Sequence, residues 1–318
     1  MNEALPSYAK VIEIHTEQQS WIEVAKGASN TSELCLTLGK VSKAVEYGKS
    51  SIDYADKHYD KTWKMLNCTT YANVLLQKGL PNDVIEAREL FIDAERYQQE
   101  SLFFCQYLYS LQGYRYCQLL LKDAKQDPQA LDELIKRVEE TIVISKRNNW
   151  LLTIAFDQLT LSKAYLLKSD KTNSQRQAQY YLDLAVSGLR KAGRLDYFPS
   201  GLLTRANYYT KTHNHTACWR DLDETFEIAS FGDMQLHLCD YHLEASRNIA
   251  GQLQEKLQSN GPYLVIENGQ QLQPSKDEML ARLHRHFNQA NTMIDELSYH
   301  FRDDDLVEVQ GLISAFKL

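Results

Sequence analysis

Few residues in this chain have the types and spacing that chemistry requires. Gly48-Lys49-Ser50 matches the end of a phosphate-binding loop, but that loop needs a glycine five residues before Gly48, and the position holds Lys43. The triplet also falls in a helical pattern with no strand before it, so a helix surface is expected. His213 and His215, in Thr-His-Asn-His-Thr, stand two apart, a spacing that suits a strand better than a helix. No cysteine or carboxylate is close to them in sequence, and a solvated turn is expected there rather than a metal centre. His284 and His286 fall on nearly opposite faces of a helix and cannot share a ligand. Neither Gly-x-Ser-x-Gly nor His-Glu-x-x-His occurs. The carboxylates of Glu139-Glu140 and Asp303 to Asp305 lie at exposed helix positions, whereas an acid or base catalyst needs burial to tune its pKa. The expectation is therefore a non-enzyme with no catalytic residue, cofactor or metal.

The elements that hold these residues are helices of one repeating kind. Ala87, Phe91 and Ala94 place a small, a large and a small side chain along one helical face. The same pattern returns at Ala44, Gly48 and Ser51, at Leu134, Val138 and Thr141, at Ala178, Leu182 and Ala185, and at Cys218, Leu222 and Thr225. These stripes recur every 40 to 47 residues, room for two helices and two turns. The predicted fold is all-α: a right-handed α-α superhelix of about six helix pairs resembling tetratricopeptide repeats. It forms a single domain spanning 1–318, in which 1–28 is a leading partial unit, 29–256 the repeats, 257–275 an insert, and 276–318 the last helix pair and cap.

In chain order, a helix after Pro6-Ser7 is followed by one from Glu17 through Trp21 to Gly27, and a fresh helix from Ala28 stops at Gly39. Further helices are predicted over Val41 to Lys57, Lys61 to Gly79, Pro81 to Gln98, Leu102 to Asp123, and Pro128 to Lys146 with Asp127 as cap. Four more run from Asn149 to Lys168, Ser174 to Lys191, Phe198 to His213 and Thr216 to Ser230, and another from Met234 to Leu257. Between Ser259 and Pro274, Tyr263 to Glu267, Asn268-Gly269 and Gln270 to Gln273 read as a small β-hairpin projecting from the stack. Ser275 and Glu278 form a capping box for the next helix, and a last helix from Asp304 to Phe316 covers the end.

Composition excludes several classes. A formal charge of -7 opposes binding to nucleic acid, whose phosphates call for clustered Lys and Arg, and the largest basic cluster is the pair Lys146-Arg147. Nineteen tyrosines could stack on bases, but most fall on helix seams where packing accounts for them. No stretch approaches eighteen apolar residues, and Glu3, Glu13, Glu17 and Glu23 interrupt the start where a signal peptide needs an uncharged core. A cytoplasmic protein that binds no membrane is expected. The six cysteines show no Cys-x-x-Cys pair and read as small buried hydrophobes.

Several longer phrases carry a resemblance. They are Asn30 to Gly39 (NTSELCLTLG), Leu108 to Cys117 (LYSLQGYRYC), Asn149 to Leu152 (NWLL), Ser187 to Gly193 (SGLRKAG), Pro199 to Ala206 (PSGLLTRA) and Met293 to His300 (MIDELSYH). Together they resemble the C-terminal tetratricopeptide-like repeat region of bacterial signal-transduction NTPases of the NACHT and NB-ARC type. The resemblance implies a sensor that relays a trigger to a nucleotide-binding switch and an effector. Neither of those is present in these residues, so it implies the recognition half alone, whether part of a longer NTPase or a free-standing adaptor.

In such a stack the first helix of each pair lines the concave face. Taking Ala72, Gly113, Ser162 and Ala206 as the small central positions places Thr69, Asn73, Ser110, Tyr114, Leu159, Lys163, Leu203 and Asn207 on that face. Gln77, Gln118 and Lys211 follow one turn on, and Tyr107 adds aromatic area. Asn and Gln both donate and accept, so they can hold an extended peptide backbone, and tyrosines anchor interfaces. The first unit carries Ser29 and Glu33 where chaperone-binding repeats carry Lys and Asn, so chaperone binding is not predicted. The expected partner is a protein or peptide held in the concave groove. The alternative is a scaffold that self-associates through its stacking ends or the hairpin.

Overall fold

The computed structural model describes residues 4–57, 60–101, 105–168, 171–257, 261–314 and 316. The chain is all-α apart from one two-stranded hairpin among the described residues. It divides into two compact units, Met1–Arg194 and Leu195–Leu318, where the sequence reads as one continuous solenoid.

The first unit holds α1 (Leu5–Glu17), α2 (Trp21–Thr37), α3 (Val41–Ala55), α4 (Lys61–Lys78), α5 (Pro81–Ser101), α6 (Ser110–Asp123), α7 (Pro128–Arg147), α8 (Leu151–Leu167) and α9 (Lys171–Ala192). Helices α2/α3, α4/α5, α6/α7 and α8/α9 pack as consecutive pairs, and α4 also lies against α2 and α6, and α6 against α8. That side-by-side order of first helices is what a helical repeat produces. The stripes form the seams: Ala87, Phe91 and Ala94 are fully buried, and so are Ala178, Leu182 and Ala185. Phe91 stacks on Tyr116 of the next pair at 5.0 Å between ring centres. Gly48 is held in the middle of α3 by packing, since a Cβ there would come within 2.9 Å of the Tyr71 ring. This is a helix contact and not a phosphate loop.

The second unit holds α10 (Phe198–Lys211), α11 (His215–Gly232), α12 (Gln235–Glu255), β1 (Val265–Glu267), β2 (Gln270–Leu272), α13 (Lys276–Leu297) and α14 (Asp303–Ser314). Here α10/α11 and α12/α13 are the pairs, α10 lies beside α12, and α14 closes against α12 and α13. The described residues thus form six helix pairs, with α1 before them and α14 after them in sequence. Cys218, Leu222 and Thr225 are fully buried, as the stripe predicts.

Several helix ends depart from the predicted ones for a shared reason. Besides the predicted stops Gly79 (φ 77°) and Gly193 (φ 68°), six further ends have a single residue in the left-handed backbone: Gln19, Gly39, Asn149, His213, Asp233 and Ser298. The next N–H then reaches back to the carbonyl five residues earlier, as in Ser20 to His15, Lys40 to Cys35 and Asn214 to Tyr209, at 2.8 to 2.9 Å. Glycine favours this conformation because it lacks a Cβ, yet among these six only Gly39 is one. Conversely Gly27, read as a helix stop, lies inside the unbroken α2, where a Cβ would stand 3.0 Å from Ile12. Replacing the exposed Gln19 (φ 55°) with glycine is expected to stabilise the fold by about 0.5–1 kcal/mol, read from the denaturation midpoint.

The predicted helix start at Leu102 lies outside the described residues, but α5 continues to Ser101 and α6 begins only at Ser110. Residues 105–109 carry no helix and are held against α5. Gln98 Nε2 donates to the Tyr107 carbonyl at 2.5 Å, Gln99 Nε2 to the Gln106 carbonyl at 2.7 Å, and the Leu108 N–H donates to Glu95 at 2.8 Å. Gly113 makes room for that segment: a Cβ there would lie 2.3 Å from the Leu108 carbonyl oxygen.

The hairpin forms as predicted, with Val265 paired to Leu272 and positive φ at both Asn268 and Gly269. It does not project. Val265 and Ile266 are buried in the second unit's core. The Gln252 side-chain amide donates to the Leu264 carbonyl at 2.8 Å and accepts from its N–H at 2.9 Å. The Asp223 carboxylate accepts the N–H groups of Asn268 and Gly269, both at 2.7 Å. The capping box of Ser275 and Glu278 is present at the start of α13.

Candidate functional site: a polar first-helix face

Side chains on successive first helices of the first unit link across the face they share. Arg115 on α6 donates to Thr70 on α4 at 3.2 Å and pairs with Glu33 on α2 at 2.7 Å. Thr70 also accepts from Ser29 of α2 at 3.1 Å. Between α6 and α8, Lys163 Nζ donates to Gln118 Oε1 at 3.0 Å, Tyr114 stacks on Phe156 at 4.5 Å, and Ser110 shares a hydrogen bond with Thr153 at 3.2 Å. Lys163 also stands 5.7 Å from the centre of the Tyr114 ring. On α4, Gln77 donates to Asn73 at 3.5 Å.

Asn73, Gln77, Ser110, Tyr114, Gln118 and Lys163 are each half-buried and lie on the first helices α4, α6 and α8. Thr69 does not reach that surface. It is fully buried, and its hydroxyl donates to the Leu66 carbonyl at 2.8 Å, whereas Ser110, at the matching place before Gly113, is half-buried at the start of α6. Leu159 and Leu203 are likewise buried. Tyr107 is parted from Tyr114 because residues 105–109 are drawn onto the second helices. Its ring lies under the Arg137 guanidinium at 4.3 Å, and Arg137 pairs with Glu95 at 2.5 Å.

Two aromatic residues missed in the sequence complete the surface. Tyr109 and Trp150 immediately precede α6 and α8, and their rings stack at 5.7 Å and 9°. With Ser110, Leu151, Leu152 and Thr153 they line an open cleft of about 400 Å³. Trp150 and Leu151 keep 41% and 49% of their area exposed, so the cleft offers apolar surface directly beside the Ser110–Thr153 hydrogen bond. The available signal was their equivalent position, one residue ahead of each first helix.

In the second unit, Asn207 donates to Glu244 at 2.9 Å, and Glu244 accepts from Arg247, itself paired with Asp305 at 2.7 Å and Glu308 at 2.9 Å. Lys211 is exposed at the end of α10. His213, in the turn after Lys211, and His215, the first residue of α11, converge on Glu255, the last residue of α12. Burial works against the Glu255 carboxylate, and the hydrogen bonds from both histidines outweigh it, holding its pKa below the usual range. His284 and His286 stay apart: His284 is exposed, and His286 is buried with its Nδ1 2.8 Å from that of His242. Burial pushes His242 down to about 4 and His286 to about 3, so both rings are neutral. All six cysteines are free and buried. Burial raises the Cys68 and Cys117 thiols to about 12, which leaves them poor nucleophiles.

Among the described residues no helix is long and apolar enough to cross a membrane. No protein-family model matches the chain, and no curated protein sequence matches it.

Proposed function

We propose that the chain is a non-catalytic recognition module that binds a protein or peptide segment along the first-helix face of the first unit, in the manner of a sensor or adaptor. One observation carries this reading: α2, α4, α6 and α8 lie in sequence side by side and present half-buried Asn73, Gln77, Tyr114, Gln118 and Lys163 next to the open Tyr109–Trp150 cleft. Amide side chains can satisfy both the donors and the acceptors of an extended main chain. The aromatic cleft gives an apolar anchor of the kind that concentrates binding energy.

The test uses a peptide selected from a displayed random library on the intact chain, with affinity read by fluorescence anisotropy. Asn73→Ala, Gln118→Ala and Lys163→Ala together are expected to weaken binding at least about tenfold, or ~1.4 kcal/mol, with the melting transition retained. Trp150→Ala is expected to do the same through loss of the anchor. Unchanged affinity in both variants would remove the assignment.

A further inference from the structure

The three side chains brought together at the ends of α10, α11 and α12 lie outside the recognition face, and their geometry is that of a cation site. One ring nitrogen each of His213 and His215 and a Glu255 carboxylate oxygen all lie within 4.8 Å of one another. A tetrahedral ion with metal–ligand bonds of about 2.0–2.2 Å spaces its ligand atoms by about 3.3–3.6 Å, well inside this limit. Small rotations of three side chains at helix ends therefore suffice to close the site.

A second, independent observation concerns His215. Its Nδ1 stands 2.6 Å from Asn248 Oδ1 and its Nε2 stands 2.8 Å from Glu255 Oε1. Both neighbours are acceptors, but a neutral imidazole carries only one N–H. If that hydrogen is on Nδ1 and donates to Asn248, the Nε2 lone pair points at a carboxylate, an arrangement that either a second proton or a metal cation between them resolves. The same Glu255 oxygen also meets His213 Nδ1, so two ring nitrogens and one carboxylate oxygen converge on one point.

Asn248 stands where the outer partner of a ligating histidine stands, and by accepting from Nδ1 it would fix the tautomer and the ring plane. It is fully buried on α12, and the His215 ring packs across Gly251 on the same helix face, its Cε1 3.7 Å from where a Cβ would stand. Asn248, Gly251 and Glu255 follow at helical spacing, so α12 holds both the ligand and the group that orients its partner. His213 is set by the left-handed turn (φ 60°), which places it beside His215 although the two are only two residues apart. Its side chain is 68% exposed, which leaves the outer side of the site to water.

We infer that His213, His215 and Glu255 form a binding site for a divalent first-row transition ion, with zinc as the representative. Two imidazoles and one carboxylate suit zinc, cobalt or nickel, and leave at least one coordination position for water or a partner's ligand. Magnesium and calcium, which prefer oxygen, are poor candidates. The ion would tie the α10–α11 turn to the end of α12, one repeat further along.

The experiment titrates metal-stripped full chain with zinc chloride at pH 7.5 by calorimetry, and with cobalt chloride by visible absorption. Expected are one ion per chain with a dissociation constant of about 10 µM or tighter, and a cobalt spectrum of nitrogen and oxygen ligands without thiolate charge transfer. His213→Ala, exposed and safe for the fold, and Glu255→Gln are each expected to weaken binding at least tenfold, and Asn248→Ser to weaken it about 10-fold. Melting temperature should rise with zinc in the unaltered chain and not in the His213→Ala/Glu255→Gln double variant. No binding below 100 µM would overturn the inference and leave an imidazolium–carboxylate contact. Binding at several weak sites that survive the double variant would overturn it equally.

Discussion

Replacing Asp240 with alanine is expected to destabilise the second unit by about 3 kcal/mol. The carboxylate is buried on α12 and accepts two bonds from Arg302, from Nε at 2.7 Å and from Nη2 at 2.8 Å. The buried Tyr299 hydroxyl donates to the same carboxylate at 3.2 Å. These three residues fasten the segment between α13 and α14 to α12. Removing Asp240 takes the acceptor from the buried Tyr299 hydroxyl and leaves the half-buried Arg302 guanidinium only its 3.2 Å contact with Asp305, which costs more than the pair itself contributes. The double change Asp240→Leu with Arg302→Met is expected to recover most of the loss, because no charge is then stranded. Denaturant titration of the full chain measures both; equal losses in the single and double variants would mean that packing, not charge, sets the cost.

Asp157→Asn is expected to stabilise the first unit at and above neutral pH by about 3 kcal/mol. Asp157 on α8 is buried, with Ser145 donating at 2.9 Å and Thr141 at 3.3 Å. Burial pushes its carboxyl up to about 7, and the two hydroxyl bonds only partly counter it. In the unfolded chain the group titrates near 3.9. Between these values the folded state binds the extra proton, so the stability this group contributes is complete below about pH 4 and is lost as pH rises to about 7. The amide cannot ionise and should flatten the unfolding free energy over that window. His242 and His286 work in the opposite direction in the second unit. Their lowered pKa values mean that stability is complete above about pH 6.5 and is lost as pH falls toward 4. A pH series on unaltered and Asp157→Asn chains separates the two trends. An unchanged slope between pH 4 and 7 in the variant would contradict the buried-carboxyl account.

The stacking was legible because its signal is local. Ala87, Phe91 and Ala94 share a helix face whatever the rest of the chain does, and the stripe recurs at an interval that fits a helix pair. The Asn268-Gly269 turn and the Ser275–Glu278 box were legible for the same reason. Turns were less so. Gln19, Asn149, His213, Asp233 and Ser298 adopt the backbone that glycine would advertise, while Gly27 and Gly113 serve close packing inside helices or at their starts. The site was hardest, because its contacts join residues one repeat apart. Thr70 meets Arg115, Glu95 meets Arg137, Gln118 meets Lys163 and His213 meets Glu255, each pair separated by 42 to 45 positions. A search for a carboxylate near His213 in sequence misses Glu255, whereas a search one repeat further along finds it.

The recognition claim is tested most directly by hydrogen exchange on the full chain with and without the library-selected peptide. The account predicts slowed exchange in α4, α6 and α8 and at the Tyr109 and Trp150 turns, with α5, α7 and α9 unchanged. Protection confined to those second helices or to the second unit would contradict it.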